Sequence, residues 1–428
     1  MDEGGVSLLI AALLGTGIGL ALSALPAHPF LLVSAVAYWG ETASSTSPLM
    51  VAWLVLGATT AWLLTNPFAA ALLHAPDDAC AGIERQRMPA ALCLSLGGLL
   101  GVVGVVTFAP GLREGARLVQ QSLQPYVSWV LVGLVVLVIL VEPALVVEGA
   151  LPSLQRLRQT AAAIGVGVIT FCLSGVLGLL LARRSPLPSD AAVFGLPVAL
   201  IGLFTVPSLL GRAQRDESAP SPCEMPALSL RDALRGGAIG LALGALISLL
   251  PLAAGGVCGV LARRIVLTRA ETVRAVAVGA ARAGFYLVSL LVWIAPGATL
   301  AADSPLSALA EVVPAQGWQG YWFAVAAIAA SGGLVSSLLL VLVTRCAPHI
   351  VRWQARKAAA ASALLLLALA LLTSGWQGGL VLLAATAIGS LPLVFNTSPA
   401  SAQGIVLAPA TLSAFGLETT IAEWLGLL

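Results

Sequence analysis

Long apolar stretches without charge, separated by short polar ones, make up most of this sequence. The stretch from Gly4 to Gly40 contains no Asp, Glu, Lys or Arg, and neither does the stretch from Ala358 to Leu417. A transmembrane helix needs about 20 apolar residues, so the second stretch alone predicts two or three passes. Counted along the whole chain, the apolar segments predict about eleven or twelve membrane crossings.

The composition supports the same interpretation. The chain is 59% hydrophobic and 9% charged, whereas soluble domains carry roughly 25% charged residues. We therefore expect an all-α polytopic membrane protein. The basic residues stand singly or in pairs, so there is no patch for nucleic acid. The six cysteines show no CxxC spacing, which favours buried apolar roles over metal ligands or disulfides.

One motif near the start of the chain returns once, 225 positions later. Gly, Gly, Ser, Leu and Pro recur with the same spacing at Gly15, Gly19, Ser23, Leu25 and Pro26 and at Gly240, Gly244, Ser248, Leu250 and Pro251. The spacing places the three small residues on one helix face, where another backbone can approach closely. The proline then ends the helix and leaves backbone polar groups that need partners.

Weaker echoes extend this motif into a predicted internal duplication. Phe108 to Gly111 is similar to Ile294 to Gly297, and Ser174-Gly175 is similar to Ser374-Gly375. The changing offsets predict an extra segment near residues 40 to 80 of the first half. The predicted organisation is a first transmembrane repeat at 1–211, a polar linker at 212–235 and a second repeat at 236–428. The pattern leaves parallel and inverted repeats equally open.

Each repeat is predicted to contain a broken or re-entrant helix, since the apolar segment at 29–39 is too short to cross a bilayer. Corresponding helix breaks in two repeats are a sequence pointer to a transporter binding site between them. Half-helices after Pro26 and Pro251 would present free backbone N–H groups there. Gly255 and Gly256 in the second repeat would allow close backbone approach.

Few titratable side chains accompany these breaks. His28, two residues after Pro26, is a candidate for anion binding or proton relay, or it is a histidine satisfied within a loop. Asp77 and Asp78 could bind a coupling cation or proton, or could cap the next helix. Arg282 follows Arg274 by eight residues on a predicted helix and lies about 12 Å deeper, where it either snorkels or binds an anion.

A polar break also interrupts the last uncharged stretch. Asn396 and Thr397 could line a cavity, or could simply cap the terminal helix. The sequence contains no P-loop, GxSxG, HExxH or paired metal-ligand spacing, and its glycines at 98, 101 and 104 suit helix packing. We therefore expect no enzymatic activity, no cofactor and no bound metal.

Four short elements carry a family resemblance. They are Leu25-Pro26-Ala27-His28-Pro29, His74-Ala75-Pro76-Asp77-Asp78, Arg282-Ala283-Gly284, and the pair Ile388 to Pro392 and Gly404 to Pro409. Together they resemble the permease subunit of tripartite tricarboxylate transporters, and more closely its archaeal-type relatives of unassigned function. Ala27 stands where those relatives have Gly. The resemblance implies a multi-pass permease of the cell (inner) membrane with an extracytoplasmic binding protein or small membrane subunit as partner, and leaves a homo-oligomer open.

The leading expectation is a secondary transporter of an organic or phosphorylated anion, coupled to a proton or cation. The expected substrate-binding residues are Ser23, Pro26, His28, Ser248, Pro251, Gly255, Gly256, Arg282, Asn396 and Thr397, and the expected coupling residues are His28, Asp77 and Asp78. Two alternatives stay open. One is a lipid translocase for a polyprenyl-phosphate-type carrier, and the other is a membrane scaffold without transport.

Overall fold

The structure, a computed structural model, describes eleven parts of the chain. They comprise residues 3–23, 48–73, 87–141, 153–188, 191–214, 228–249, 255–266, 271–295, 317–350, 355–395 and 397–427. These residues are predominantly helical, and no strand occurs among them. The expectation of an all-α protein is thereby confirmed.

Fourteen α-helices are present in the described residues. Their bounds are α1 Glu3–Ser23, α2 Pro48–Leu73, α3 Arg87–Leu123, α4 Val127–Val141, α5 Ser153–Arg183, α6 Gly195–Leu200, α7 Val206–Gln214, α8 Leu230–Ser248, α9 Gly255–Ile265, α10 Glu271–Ile294, α11 Trp318–Ile350, α12 Ala355–Val394, α13 Gly404–Ala414 and α14 Glu418–Trp424. Short 3-10 helices occupy Gln124–Tyr126, Ala192–Phe194 and Pro399–Gln403, and a π-helix at Ile201–Thr205 joins α6 to α7.

Six of the described helical segments are long and apolar enough to cross a membrane. They are Ala90–Leu112, Glu114–Leu140, Thr160–Arg183, Glu271–Ile294, Trp318–Val341 and Ala360–Val394. The bent pair Pro399–Ala414 and Glu418–Trp424, with an angle of 116°, would make a seventh span or a re-entrant loop. Membrane character is confirmed by these helices. The total of eleven or twelve crossings stays a prediction.

The chain divides into two compact units, each made from two stretches of sequence. Unit 1 contains residues 1–121 and 215–359, and unit 2 contains residues 122–214 and 360–428. Each unit therefore combines part of the predicted first repeat with part of the second. This division is one of packing, so the predicted repeat boundaries at 211 and 236 stay predictions. Most of the predicted linker, residues 215–227, lies outside the described residues.

In unit 1, helices α1 and α2 touch backbone to backbone. A Cβ atom placed on Gly15 would overlap the carbonyl of Leu54, and one placed on Gly19 would overlap the carbonyl of Ala58. Both contacts advance by four residues in the same direction, so the two helices run parallel. The small-residue face predicted from the spacing is therefore a helix-packing face.

The second copy of the motif makes the same contact between α8 and α10. A Cβ atom on Gly240 would overlap the carbonyl of Ala277, and one on Gly244 would overlap the carbonyl of Ala281. These partners stand 223 positions after Leu54 and Ala58, the partners of the first copy. Helix α10 thus has the place beside α8 that α2 has beside α1.

This packing corrects the predicted register of the duplication. The similarity of Phe108 to Gly111 with Ile294 to Gly297 made α3 the counterpart of α10, and required an extra segment near residues 40 to 80. Helix α2, which spans Pro48–Leu73 within that segment, is instead the packing counterpart of α10. The Ala-Pro-Gly echo was misleading because small residues and proline recur often in apolar sequence.

Helix α3 lies alongside α10 and runs parallel to it. A Cβ atom on Gly97 would meet the backbone of Val276, and one on Gly101 would lie 2.6 Å from the Cβ of Ala283. The numbers of the contacting residues thus rise in the same direction along both helices. The direction of α3 therefore also gives the direction of α10.

Helix α2 runs antiparallel to α3. The hydroxyl of Ser95 on α3 donates a hydrogen bond to the carbonyl of Leu64 on α2 at 2.8 Å. Further along α3, Val102 lies near Thr60 of α2, because both are within 4 Å of a Cβ placed on Gly332 of α11. The residue numbers thus rise along α3 as they fall along α2. Because α3 is parallel to α10, the α1–α2 pair and the α8–α10 pair run in opposite directions. Within unit 1 the two copies of the motif are inverted.

Unit 2 contains two pairs of helical segments that pack closely, and in each pair both segments place a glycine against the backbone of the other. The contacts are Gly178 with Ile405 and Gly404 with Phe171 in one pair, and Gly389 with Leu203 and Gly202 with Leu382 in the other. Since Phe171 and Gly178 have the same spacing as Leu382 and Gly389, α5 and the second part of α12 are equivalent in packing.

This equivalence corrects the predicted match between Gly175 and Gly375. A Cβ on Gly175 would lie 2.7 Å from the Cβ of Ala408, so Gly175 is a packing residue. Gly375 instead interrupts α12 with φ 65° and ψ −166°, and a Cβ there would have no neighbour within 4 Å. The positive φ favours glycine for conformational reasons, which is a different role.

The packing of α1 on α2 predicts a contrast between two glycines of one helix. We expect Gly19→Ala to lower the free energy of unfolding by about 1–3 kcal/mol, since the new methyl group collides with the Ala58 backbone. Gly17→Ala is the matched control, because a Cβ there has no neighbour within 4 Å. The thermal unfolding midpoint in detergent measures both. Equal midpoints for the two variants would contradict the backbone contact.

Candidate functional site

Arg282 lies near the middle of a membrane-spanning helix. Helix α10 covers Glu271–Ile294, and Arg282 follows Glu271 by eleven residues, which corresponds to about 16 Å along the axis. The hydrocarbon core of a bilayer is about 30 Å thick. A guanidinium at this depth is costly unless it has partners, and intramembrane charges commonly mark substrate pathways.

An aromatic ring of α2 provides one such partner. The guanidinium carbon of Arg282 lies 5.3 Å from the ring centroid of Trp62, a distance that allows a cation–π interaction. Trp62 is 3% exposed and Arg282 is half-buried. The pair therefore links α2 with α10, the two equivalent helices of the inverted pairs.

A short helix begins beside this pair. The thiol of Cys258, in the first turn of α9, donates a hydrogen bond to the carbonyl of Ala281 at 3.5 Å. At the other end of α9, Arg263 Nη2 lies 3.5 Å from Glu271 Oε2. Helix α9 thus runs antiparallel to α10, from the middle of that span back to its start. Together α8 and α9 form the re-entrant hairpin that was expected in the second repeat.

The N-terminus of α9 brings backbone N–H donors to the level of the middle of α10. Gly255 and Gly256 are its first two residues, and the first four N–H groups of any α-helix have no partner within that helix. The helix dipole adds a partial positive charge at this end. Cys258 in the first turn of α9 contacts the carbonyl of Ala281, which directly precedes Arg282 on α10. The helix terminus and the guanidinium both favour an anion.

Two side-chain donors of α2 complete the candidate site. Thr59 Oγ1 and Trp62 Nε1 are buried and have no hydrogen-bond partner among the described residues. The two residues are 2% and 3% exposed, and their spacing of three places them on one helix face. Buried donors without partners are costly, so an acceptor brought to the hydroxyl or the indole N–H would be stabilised there.

Thr59 and Arg282 occupy equivalent positions in the inverted pairs. Thr59 directly follows Ala58, whose carbonyl packs against Gly19. Arg282 directly follows Ala281, whose carbonyl packs against Gly244 in the same way. The candidate site is therefore formed by matching positions of two inverted copies. One copy contributes a hydroxyl there, and the other contributes a charge.

The two serines of the motif are also equivalent in the structure. The hydroxyl of Ser23 donates to the carbonyl of Leu20 at 2.6 Å, and that of Ser248 donates to the carbonyl of Ala245 at 2.7 Å. Each serine thus satisfies a carbonyl in the last turn of its own helix. Both lie four residues beyond the second glycine, at the level of Trp62 and its counterpart on α10.

Several expected site residues lie outside the described residues, namely Pro26, His28, Asp77, Asp78, Pro251 and Asn396. Thr397 belongs to unit 2, where its backbone N–H donates to the carbonyl of Pro392 at 2.8 Å and its hydroxyl donates to the same oxygen at 3.4 Å. Ser398 accepts a hydrogen bond from the N–H of Ala400. These contacts correspond to the capping alternative for this polar break.

Sequence reasoning missed Thr59, Trp62 and Cys258. A threonine or tryptophan inside an apolar helix gives no periodic signal, because such residues also occur as ordinary packing residues. The only available signal was positional: Thr59 precedes Arg282 by the same 223 residues that separate the packing partners of the glycines. Among the described residues, no three His, Cys, Asp or Glu side chains are grouped closely enough to hold a metal ion.

Comparisons with family models, with curated proteins and with solved structures gave no match for this chain.

The burial of Arg282 predicts that its charge is kept at the expense of stability. We expect Arg282→Met to leave the thermal unfolding midpoint of the ligand-free protein unchanged or higher, because the charge is costly at this depth and methionine fills similar space. The midpoint in detergent without added anions tests this. A decrease as large as that of Gly19→Ala would instead make Arg282 a structural residue.

Proposed function

We propose that this protein is a secondary transporter of an organic or phosphorylated anion, which binds at the site around Arg282. The observation that supports this most directly is the contact of the first turn of α9, through Cys258, with the carbonyl of Ala281, the residue directly before Arg282 in the middle of α10. Half-helix N-termini at the midplane, located between inverted repeats, are a recurrent way in which secondary transporters bind anionic groups.

The chemistry of the surrounding helices supports an anion over a cation. The described residues of α2, α9 and α10 contain one carboxylate, Glu271, which lies eleven residues from Arg282 at the helix start. Near Arg282 the available groups are donors: the N–H groups of the α9 terminus, the Thr59 hydroxyl and the Trp62 indole. A carboxylate or phosphate can accept from several of them at once.

Coupling and location complete the proposal. The resemblance to the permease subunit of tripartite tricarboxylate transporters supports the cell (inner) membrane as the location and an extracytoplasmic binding protein as a partner. We assign coupling to His28, which follows Ser23 by five residues, and to the Asp77 and Asp78 pair. Their side chains can exchange a proton or hold a cation.

Uptake into proteoliposomes tests the anion site. We expect a panel of tricarboxylates, dicarboxylates and sugar phosphates to contain a transported anion, and Arg282→Gln to slow its uptake by about tenfold or more, the loss of one charge-assisted hydrogen bond. Arg282→Lys should recover only part of the rate, because lysine lacks the planar fork.

Arg117→Gln, which removes an exposed arginine of α3, is the matched control. Full uptake by Arg282→Gln, or an equal loss in Arg117→Gln, would contradict the assigned site. Transport of a polyprenyl phosphate with no transport of soluble anions would replace the proposal with the lipid translocase.

Coupling requires a separate measurement of ion movement. In the His28→Ala, Asp78→Asn double variant, we expect anion exchange to continue while anion-driven proton or sodium flux is lost. A pH-sensitive or sodium-sensitive dye inside the vesicles reports the flux, and radiolabelled anion reports the exchange. Wild-type flux in this variant would remove both residues from the mechanism.

A further inference from the structure

Unit 2 contains two buried hydroxyl groups that have no hydrogen-bond partner among the described residues. They belong to Thr170 of α5 and Ser401 of the 3-10 helix Pro399–Gln403. Both residues are 0% exposed. Thr170 lies ten residues after the start of the span Thr160–Arg183, about 15 Å along its axis. A buried hydroxyl without a partner is costly, so each of these groups needs an explanation.

Helix α13 runs parallel to α5 and follows directly on the 3-10 helix. A Cβ on Gly404 would overlap the carbonyl of Phe171, and a Cβ on Gly175 would lie 2.7 Å from the Cβ of Ala408. Both contacts advance by four residues in the same direction. The 3-10 helix before α13 also packs against α5, so it continues this interface towards the start of α5.

The two hydroxyl groups lie at one level of this interface. The Oγ of Ser174 would lie 2.5 Å from a Cβ on Gly404. Thr170 precedes Ser174 by four residues, which is about one α-helical turn on the same face. Ser401 precedes Gly404 by three residues, the spacing at which side chains eclipse in a 3-10 helix. Both hydroxyls are thus one turn before the same contact.

Thr170 also differs from other helical threonines of unit 2. The hydroxyls of Thr386 and Thr411 each donate to the carbonyl four residues earlier, at 2.7 and 2.6 Å. Thr170 makes no such bond. Its own helix therefore does not satisfy it, although the usual acceptor for a threonine in a helix is a carbonyl of the preceding turn.

Packing does not require a hydroxyl at the position of Thr170. In the other closely packed pair of unit 2, Leu382 of α12 has the place that Phe171 has in α5. The residue before Leu382 is Val381, just as the residue before Phe171 is Thr170. Val381 is 4% exposed, so an apolar side chain of similar shape fills the equivalent position.

The same holds for Ser401. Gly404 contacts α5 as Gly202 contacts α12, and the residue three positions before Gly202 is Ala199. Ala199 is 0% exposed. One pair therefore makes this interface with two apolar residues, while the other pair keeps two hydroxyls that gain no hydrogen bond from it. A ligand for the hydroxyls accounts for this difference.

Irregular backbone surrounds the two hydroxyls. The 3-10 helix Pro399–Gln403 packs against the π-helix Ile201–Thr205, and π-helical turns occur frequently at functional sites. Irregular backbone at membrane depth is tolerated where it is buried in protein or lines a cavity. In secondary transporters, the carbonyl groups of such segments coordinate Na⁺.

The charges of these segments favour a monovalent cation. Residues 160–182, 201–205 and 399–414 contain no Asp, Glu, Lys or Arg. A divalent cation prefers carboxylate ligands, and a buried anion needs a positive charge to compensate it. Hydroxyl and carbonyl oxygens can instead replace the hydration shell of a monovalent metal ion.

We infer that Thr170 and Ser401 bind a sodium ion, together with backbone carbonyl oxygens of the surrounding segments. Each hydroxyl oxygen has lone pairs for the ion. The search of the sequence for His, Cys and carboxylate ligands could not reveal such a site, because these residues offer only hydroxyls. The inference does not depend on the transported anion or on the assigned coupling residues.

Sodium binding to the intact protein tests this inference. Protein in detergent and choline chloride is titrated with sodium chloride at constant ionic strength, while bound radioactive sodium and the unfolding midpoint are measured. The His28→Ala, Asp78→Asn background excludes the assigned coupling residues from the measurement. We expect saturable sodium binding in this background, and a midpoint that rises with the occupancy of the site.

The variants are Thr170→Val and Ser401→Ala, which introduce the residues of the equivalent pair. We expect each to lower the sodium affinity about tenfold or more, since the contact of an ion with a hydroxyl is comparable to a hydrogen bond to a charged group. In choline chloride alone, both should unfold at the midpoint of the background protein or above it, because a costly hydroxyl has been removed.

Ser390→Ala is the control, because the Ser390 hydroxyl donates to the carbonyl of Ala387 in its own helix. We expect this variant to bind sodium like the background protein. Undiminished binding in Thr170→Val and Ser401→Ala would overturn the inference. So would an absence of sodium binding in the background protein, or equal midpoints in sodium chloride and choline chloride, and buried water would then be the partner of the two hydroxyls.

Discussion

Direct contact between helix backbones at glycine positions is the constraint on which unit 1 depends. Gly15 and Gly19 bring α1 onto α2, and Gly240 and Gly244 bring α8 onto α10. In a membrane, apolar side chains gain little by leaving lipid for protein, so close packing has to supply much of the association energy. At this separation no Cβ atom fits between the helices.

These contacts also decide the depth at which the chain reverses. Since α8 is held parallel to α10, the chain has to return before α10 can begin, and α9 is the short helix that makes this return. The N-terminus of α9 therefore lies level with the middle of the α10 span. Backbone N–H groups at this depth need acceptors, as do the Thr59 hydroxyl and the Trp62 indole of α2. The glycine contacts that pack the helices therefore also bring the N-terminus of α9 to the depth of Arg282.

The sequence was informative where a feature depends on local spacing. The glycine face, the helix break after Ser248 and the depth of Arg282 follow from residue intervals along one helix. The contact of Trp62 with Arg282 and the direction of α2 relative to α10 join distant segments, and no interval encodes them. The Ala-Pro-Gly and Ser-Gly echoes were wrong for a related reason, because small residues recur in apolar helices without sharing a packing partner.

The pairing of Thr59 with Arg282 has a consequence for the energetics of an inverted repeat. Two inverted copies can exchange conformations, so that a state open to one side of the membrane resembles the state open to the other, with the copies in swapped roles. In a perfectly symmetric protein these two states would have equal energy. Here one equivalent position is charged and the other is neutral, so the energies must differ. In the transporter that we propose, the position of this guanidinium would favour one of the two orientations.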